Sequence, residues 1–299
     1  MLTDHVKAQS GKEQGRRNTL QKTPRKLRLS RKLYLLSSRL APLTTAWVRR
    51  RLFFDDLQQY ENLMKLAHPS FMWMNFGLDG ADFSWILPED VEWKYQVNMA
   101  RNNIRGVDLT GKRFLDTGSG RGGNCWYVKR YHAATRIVGL DQSRAQVNWC
   151  CDRFRDSGIE FRRGDCQNLP FQAGSFDVVS NIESAAHYPE RRRFYRGVYR
   201  VLSPSGHFCM SCNYRDPEAE EHAVQSEGFA LVDRTDITAA VAAALRKNDD
   251  NMRQLMKRIT DTKEAKALGQ ELCDTLARLP GQLFLSQRER YYSWIFRKP

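Results

Sequence analysis

No apolar stretch in this 299-residue chain approaches the roughly 20 residues that a membrane-crossing helix needs, so a transmembrane reading falls away first. Seven cysteines, odd in number and scattered, offer no disulfide framework and suggest free thiols in a reducing compartment. Cys209-Met-Ser-Cys212 has the spacing of metal ligands but lacks a second pair, so it reads as small apolar filler at a strand end, and no metal is called for. The glycine-rich stretch at 118–123 is not followed by Gly-Lys-Ser/Thr, which argues against a phosphate-cradling loop. Histidine is scarce: His132 and His207 sit where a fold role suffices, and His5, His68 and His222 have no evident partner.

Acidic residues are nearly missing from the first 51 positions, where 14 Lys/Arg face only Asp4 and Glu13. The net charge of +14 is therefore local, and the rest of the chain carries only +2. Residues 1–52 read as a basic extension, largely disordered or amphipathic. Four roles stay open for it: a solvated tail with a helix packed on the body, peripheral contact with an anionic membrane through residues 31–54, an organellar transit peptide, or nucleic-acid binding. A cytoplasmic location follows from the first two, organellar import from the third. The aromatic-rich residues 53–105 read as an N-terminal helical lid interrupted at His68-Pro-Ser70 and Gly77-Leu-Asp-Gly80. Residues 106–299 then form one α/β core, carrying a helical cap at about 238–286. In the cap, a helix is expected over 237–246 and another over 251–279, before a final strand within 287–296 that would run antiparallel beside the last parallel strand.

Within the core, Arg113-Phe-Leu reads as a buried strand running into Asp116-Thr-Gly-Ser-Gly120, followed by a helix over 124–130. A second strand, Ile137-Val-Gly-Leu-Asp141, ends 25 residues after Asp116, about where a doubly wound sheet presents an acid to a ribose diol. Arg163-Gly-Asp165 supplies a later carboxylate, and Phe176–Ser180 a further strand. An acidic strand end before the glycines suits a ligand that lacks phosphate and carries an ammonium, a sulfonium and an adenosine: S-adenosylmethionine. The plainer alternatives are that Asp141 caps the helix near Ser143 and that Asp165 closes a turn.

On these motifs, residues 110–215 resemble the core of a class I S-adenosylmethionine-dependent methyltransferase. Asn181-Ile-Glu-Ser-Ala-Ala-His-Tyr-Pro189, Arg200-Val-Leu-Ser-Pro-Ser-Gly-His-Phe208, Met74-Asn-Phe-Gly77 and Tyr292-Ser-Trp-Ile-Phe-Arg-Lys-Pro299 are similar to the small-molecule branch that holds phthiotriolone, sterol and quinone methyltransferases. The resemblance implies a Rossmann-like doubly wound sheet of seven strands with an antiparallel edge strand. It implies that Asp116, Gly118 and Gly120 line the methionine part of the cofactor, that Asp141 accepts from the ribose hydroxyls, and that Gln142 lies alongside. Asp165 would accept from the adenine amino group, the Cys166 amide would face a ring nitrogen, and Asn181 would sit beneath the sulfonium. Trp73 and Phe76 would lie near the sulfonium, with Phe76 standing where related proteins carry tyrosine.

For the chemistry, His187 is the expected base, with Glu183 orienting it or touching the acceptor and Tyr188 positioning the substrate. The expected reaction is methyl transfer to a hydroxyl of a small lipid-like or polyketide-type metabolite. C-methylation of an isoprenoid or quinone precursor is one alternative. An RNA methyltransferase using the basic arm is another, disfavoured because the fourth strand ends Asn181-Ile-Glu-Ser184 rather than in Asp/Asn-Pro-Pro-Tyr/Phe.

Overall fold

The computed structural model describes residues 72–259 and 289–299. The basic extension of 1–52, the 31–54 segment, the first part of the lid and residues 260–286 of the cap lie outside the described residues.

Seven strands form one sheet: β1 Arg113–Thr117, β2 Arg136–Asp141, β3 Ile159–Arg163, β4 Phe176–Ile182, β5 Leu202–Tyr214, β6 Ala230–Asp236 and β7 Arg290–Arg297. Their order is β3-β2-β1-β4-β5-β7-β6. The first five pair in parallel, and β7 runs antiparallel to both β5 and β6. The expected antiparallel strand is β7, one place in from the edge. Six helices accompany the strands among the described residues: α1 Lys94–Asn103, α2 Gly123–Tyr131, α3 Arg144–Arg153, α4 Arg191–Val201, α5 Pro217–Gln225 and α6 Thr238–Ile259.

Both faces of the sheet are covered, so the central strands are apolar without interruption and successive residues feed opposite cores. Leu115, Val138 and Val179 point into one core with Phe194, Tyr195 and Phe208. Their neighbours Phe114, Ile137 and Val178 point into the other with Val97, Val128 and Val147. A third, smaller cluster joins Leu78 of the 72–79 segment, Met99 of α1, Ile237 and Val241 beside and within α6, and Tyr291 of β7.

Helix starts follow local chemistry. The Ser143 hydroxyl caps α3 by accepting from the Gln146 amide, and Asp216 caps α5 ahead of a proline in its first turn. The expected break between residues 246 and 251 does not occur, and α6 runs unbroken to Ile259. Asn and Asp cost a helix interior only about 0.5–0.7 kcal/mol each, and Asn248 is buried against the body rather than turning the chain.

Chain direction reverses about β1, with β2 and β3 laid down on one side and β4 on the other. A crevice opens outside the carboxyl ends of neighbouring strands at such a point. The residues that follow β1 and β4 are therefore Gly118 and Glu183.

Candidate active site

The chain leaves β1 through a turn that only glycines accommodate. Gly118, Gly120 and Gly122 all have positive φ, at 71°, 53° and 75°. A Cβ on Gly118 would lie 2.2 Å from the Ser184 hydroxyl, so the β1 turn and the β4 loop meet there at backbone distance. The amides of Gly118 and Ser119 both donate to the Leu140 carbonyl at 2.8 and 3.0 Å, tying the turn to β2.

Asp141, at the end of β2, bridges the turn to the next helix. One of its oxygens accepts from the Gly120 amide and the other from the Ser143 amide, each at 2.8 Å. The cap of α3 is Ser143 itself, so Asp141 is no helix cap. An ionised carboxylate has about four acceptor sites, and two of them serve these amides. Gln142 beside it is half-buried, and its carbonyl accepts from Arg163.

Asp116 lies one layer below the turn, 3% exposed. It accepts from the Asn124 amide group at 2.9 Å, with the Cys125 thiol also near it. Burial pushes its carboxyl up to about 7, hydrogen bonds from Asn124 and Ser180 oppose the rise, and the charge of Asp141 adds to it. Asp116 thus offers a buried carboxyl poised between its charged and neutral forms rather than a surface for direct contact.

Asp165 is exposed, and one oxygen accepts from the Gln167 backbone amide at 2.8 Å, capping the short 3-10 turn Cys166–Asn168. The Cys166 thiol is buried in the first core, and burial raises it to about 12.

Three residues depart from expectation, Asn181 and Tyr188 at the β4 end and Trp73 in the 72–79 segment. Asn181 is fully buried, and its amide group donates to the Thr117 carbonyl at 3.0 Å and Ser184 Oγ at 2.7 Å, while its oxygen accepts from the Ala185 amide. Its bonds tie β4 to β1 at Thr117 and shape the loop that follows β4, and strand alternation turns it inward. Tyr188 is also buried, its hydroxyl 2.9 Å from Ser184 Oγ and its ring edge-on to Phe194. It braces the Gly118 turn instead of reaching toward an acceptor. Trp73 is 2% exposed and packs where a Cβ on Gly123 would meet its ring at 2.8 Å, so it offers no open aromatic face to a cation.

Glu183 is the residue that stands out at this end. It has φ 61°, uncommon for a residue with a Cβ and costly by about 1–3 kcal/mol, the kind of strain that gathers at functional sites. One carboxylate oxygen, Oε1, accepts from the Phe76 amide and from the Tyr291 hydroxyl, both at 2.8 Å. Nothing among the described residues hydrogen-bonds Oε2. Part of the side chain remains accessible, yet the apolar surroundings push its carboxyl up to about 7, opposed by those two donors. The third cluster supplies these surroundings, with Phe76, Ile182, Ala240 and Leu245 packed partly buried against it.

His187 lies exposed on the 3-10 turn Ala185–His187, where nearby protein lowers its imidazole by desolvation. Glu183 does not orient it, since the bonded oxygen of Glu183 is committed to Phe76 and Tyr291. Of the expected catalytic trio, only Glu183 combines burial, strain and an open oxygen. Sequence reasoning missed Tyr291, 108 residues away, which reaches Glu183 because β7 pairs with β5 at Cys212–Tyr292 and Asn213–Tyr291. No local signal marks it.

A shift of two carboxyls toward neutrality beside a glycine turn suits a ligand that brings positive charge. A carboxylate set among apolar side chains, with one oxygen outside any hydrogen bond among the described residues, suits proton removal from an apolar molecule.

A family profile described as a methyltransferase domain matches residues 115–210. A phthiotriol/phenolphthiotriol dimycocerosates methyltransferase of Mycobacterium leprae is 33% identical over 65% of this chain and 73% of its own length. A fatty-acid O-methyltransferase of Mycolicibacterium smegmatis is 32% identical over 56% of this chain and 61% of its own length. The chain spans 60–61% of several of the curated relatives it matches. Among solved structures, the cyclopropane synthase MmaA2 of Mycobacterium tuberculosis shares the fold with a TM-score of 0.63, at 14% identity, over 82% of this chain and 98% of that one.

Proposed function

Because this chain belongs to the class I S-adenosylmethionine-dependent methyltransferases, we propose that it transfers a methyl group from S-adenosylmethionine to a hydroxyl on a lipid-like molecule. The residues at the β1 turn fit that cofactor. Burial, and then the charge of Asp141, raise the cost of ionising Asp116, and a ligand carrying an ammonium and a sulfonium would relieve it. Asp141, at the end of β2, would accept from the ribose hydroxyls, and Gly118 and Gly120 let the backbone approach the methionine part. Gln142, Asp165 and the Cys166 amide border the adenosine. Bound there, S-adenosylmethionine supplies a methyl group whose departure leaves the C–S electron pair on sulfur.

What supports a hydroxyl acceptor is Glu183. An alcohol must lose its proton as it attacks, and a carboxylate whose pKa lies near 7 is matched to that task at neutral pH. A carboxylic acid acceptor needs no base and would set a second anion against Glu183 in apolar surroundings. A polyanion such as RNA is a poor occupant for the same reason. The apolar residues around Glu183 give the acceptor its lipid-like character, and the names of the relatives agree with it. Alignment itself can supply several kcal/mol of the barrier, up to about 7–11 in the best-oriented cases. The partly buried Phe76, Ile182, Ala240 and Leu245 would provide it by holding the acceptor's body.

Calorimetry with S-adenosylhomocysteine on wild type and Asp141→Ala tests the cofactor site. Binding that weakens more than tenfold in the variant is expected, because the charge-assisted hydrogen bonds lost are each worth about 1.5–3 kcal/mol. No binding to wild type would overturn the proposal at its root. Labelled methyl transfer to 2-hexadecanol, hexadecanoic acid and random RNA then separates acceptor classes. Transfer to the alcohol above the other two is expected, and preference for the acid would reverse the assignment of Glu183.

A further inference from the structure

Two donors converge on a single oxygen of Glu183, and they come from segments far apart in the sequence. The Phe76 amide belongs to the segment that leads into α1, and the Tyr291 hydroxyl belongs to β7. Tyr291 is fully buried, and its hydroxyl also lies 3.5 Å from the Ser211 carbonyl, so the ring has one seat. The backbone under Glu183 is fixed by its own amide, which donates to that same carbonyl at 2.8 Å. Strained backbone, seated tyrosine and lid amide together leave the carboxylate little freedom to rotate. Such over-determination costs stability and is retained where a group must be aimed.

We propose that Tyr291 is a positioning residue for methyl transfer: its hydroxyl, with the Phe76 amide, occupies Oε1 of Glu183 and leaves Oε2 to receive the acceptor's proton. The proposal rests on the hydroxyl-acceptor reading above. As the acceptor oxygen forms its new bond to carbon with a lone pair, its O–H bond breaks and the proton passes to Oε2, leaving Glu183 neutral. The accessible part of Glu183 provides the route by which that proton returns to solvent. Tyr291 also sets when the base is ready, because a hydrogen bond donated to a carboxylate favours its ionised form.

The groups facing Glu183 are few. From β7 comes Tyr291, whose phenol is raised by burial first and then by the Glu183 charge. From β5 comes Cys212, raised to about 12 chiefly by burial, with the Glu183 charge contributing. The 72–79 segment presents the Phe76 amide and no titratable side chain in contact with it. On its own loop, His187 makes no hydrogen bond to Glu183. Among the described residues no cation pairs with the carboxylate. The tyrosine hydroxyl is therefore the one side-chain donor, among those residues, that tunes it.

The test follows the Glu183 carboxyl by carbon NMR titration in full-length protein labelled at glutamate, saturated with S-adenosylhomocysteine and assigned with Glu183→Gln. The wild-type resonance is expected to titrate near neutrality. Tyr291→Phe should titrate about one pH unit higher, since the ionised form loses a donor. Incorporation of 3,5-difluorotyrosine at position 291, a stronger donor of nearly the same shape, should move it lower. A structural role alone would not produce opposite displacements, and the near-isosteric replacement guards against a folding defect in Tyr291→Phe. With 2-hexadecanol as probe acceptor, the acid limb of kcat/KM should move in step with each variant.

Glu183 titrating in the ordinary carboxylate range, or unmoved by both changes, would overturn the proposal. Calorimetric binding of S-adenosylhomocysteine by the same samples reports separately on the cofactor reading. A failure there, with Glu183 still responding to Tyr291, would remove the reaction and keep the pair.

Discussion

Asp116 and Glu183 are held closer to neutrality than water would hold them, each at about 7 against ordinary values of 3.8 and 4.5. In the folded chain each keeps its proton over a range where the unfolded chain has lost it. Their contribution to stability is therefore complete below about pH 4 and is lost as pH rises toward 7. Asp177 works the other way. Arg113 pairs with it at 2.8 Å and holds its carboxyl well below the usual range. Its contribution is present at neutral pH and is lost as pH falls below about 4. Asp116→Asn, which keeps the buried group neutral, should flatten the decline in urea midpoint between pH 5 and 8 and raise the midpoint at pH 8. Parallel profiles for variant and wild type would show that Asp116 ionises freely in the fold. Residues of this kind were partly legible in the sequence: the glycines, Asp116 and Asp141 carry their own spacing. Asn181, Tyr188 and Trp73 sat in suggestive motifs, yet their orientation depends on strand alternation and on packing that a motif does not encode. His187 looked like a base by residue type and by its place on the loop after the fourth strand, and only the position of Tyr291 reveals that Glu183 is the better held group.

At the scale of elements, a buried polar chain crosses the sheet. Asn124 of α2 donates to Asp116 and to Ser180 of β4, and Asn103 of α1 donates to the same Ser180 hydroxyl at 2.9 Å. Ser211 of β5 donates to Asn103 at 2.7 Å and lies 2.9 Å from Ser293 of β7. Arg105, just past α1, donates to Ser293 and pairs with Asp233 of β6 at 2.5 Å. Asn103, Ser180, Ser211 and Ser293 are all fully buried. The chain thus docks α1 on the sheet by satisfied polar groups, where a purely apolar face would permit sliding. Asn103→Ala strands two hydroxyls and should cost about 1–3 kcal/mol of unfolding free energy. Urea unfolding would read this loss, and a variant as stable as wild type would mean that water replaces the amide. The strands and helices themselves were mostly legible. Expected segments at 113–115, 124–130, 137–141 and 176–180 correspond to β1, α2, β2 and β4 with ends shifted by at most two residues. Which helix docks through which serine was not, since four isolated serines and asparagines carry no period.

For the whole molecule, the sheet separates two cores that share few side chains. Phe114 and Phe208 are fully buried in opposite ones. Each Phe→Ala change should cost about 3–5 kcal/mol, and the double variant should approach the sum of the two. Marked non-additivity in urea unfolding would mean that the sheet transmits strain between its faces. Alternation within the strands made a two-sided core readable in advance. The position of β7 was readable only as an antiparallel partner of the last parallel strand, because pairing across an intervening 53 residues, from Asp236 to Arg290, is fixed by the assembled sheet.

That position has a consequence for biosynthesis. Growing from the ribosome, the chain completes β6 well before β7, yet among the described strands β6 meets the sheet only through β7. Until Arg290–Arg297 emerges, β5 presents a long open edge and β6 has no partner, a state prone to pair with other chains. A premature stop before Arg290 would therefore be met first by chaperones and proteases, whatever the condition of the glycine turn at the other side of the sheet.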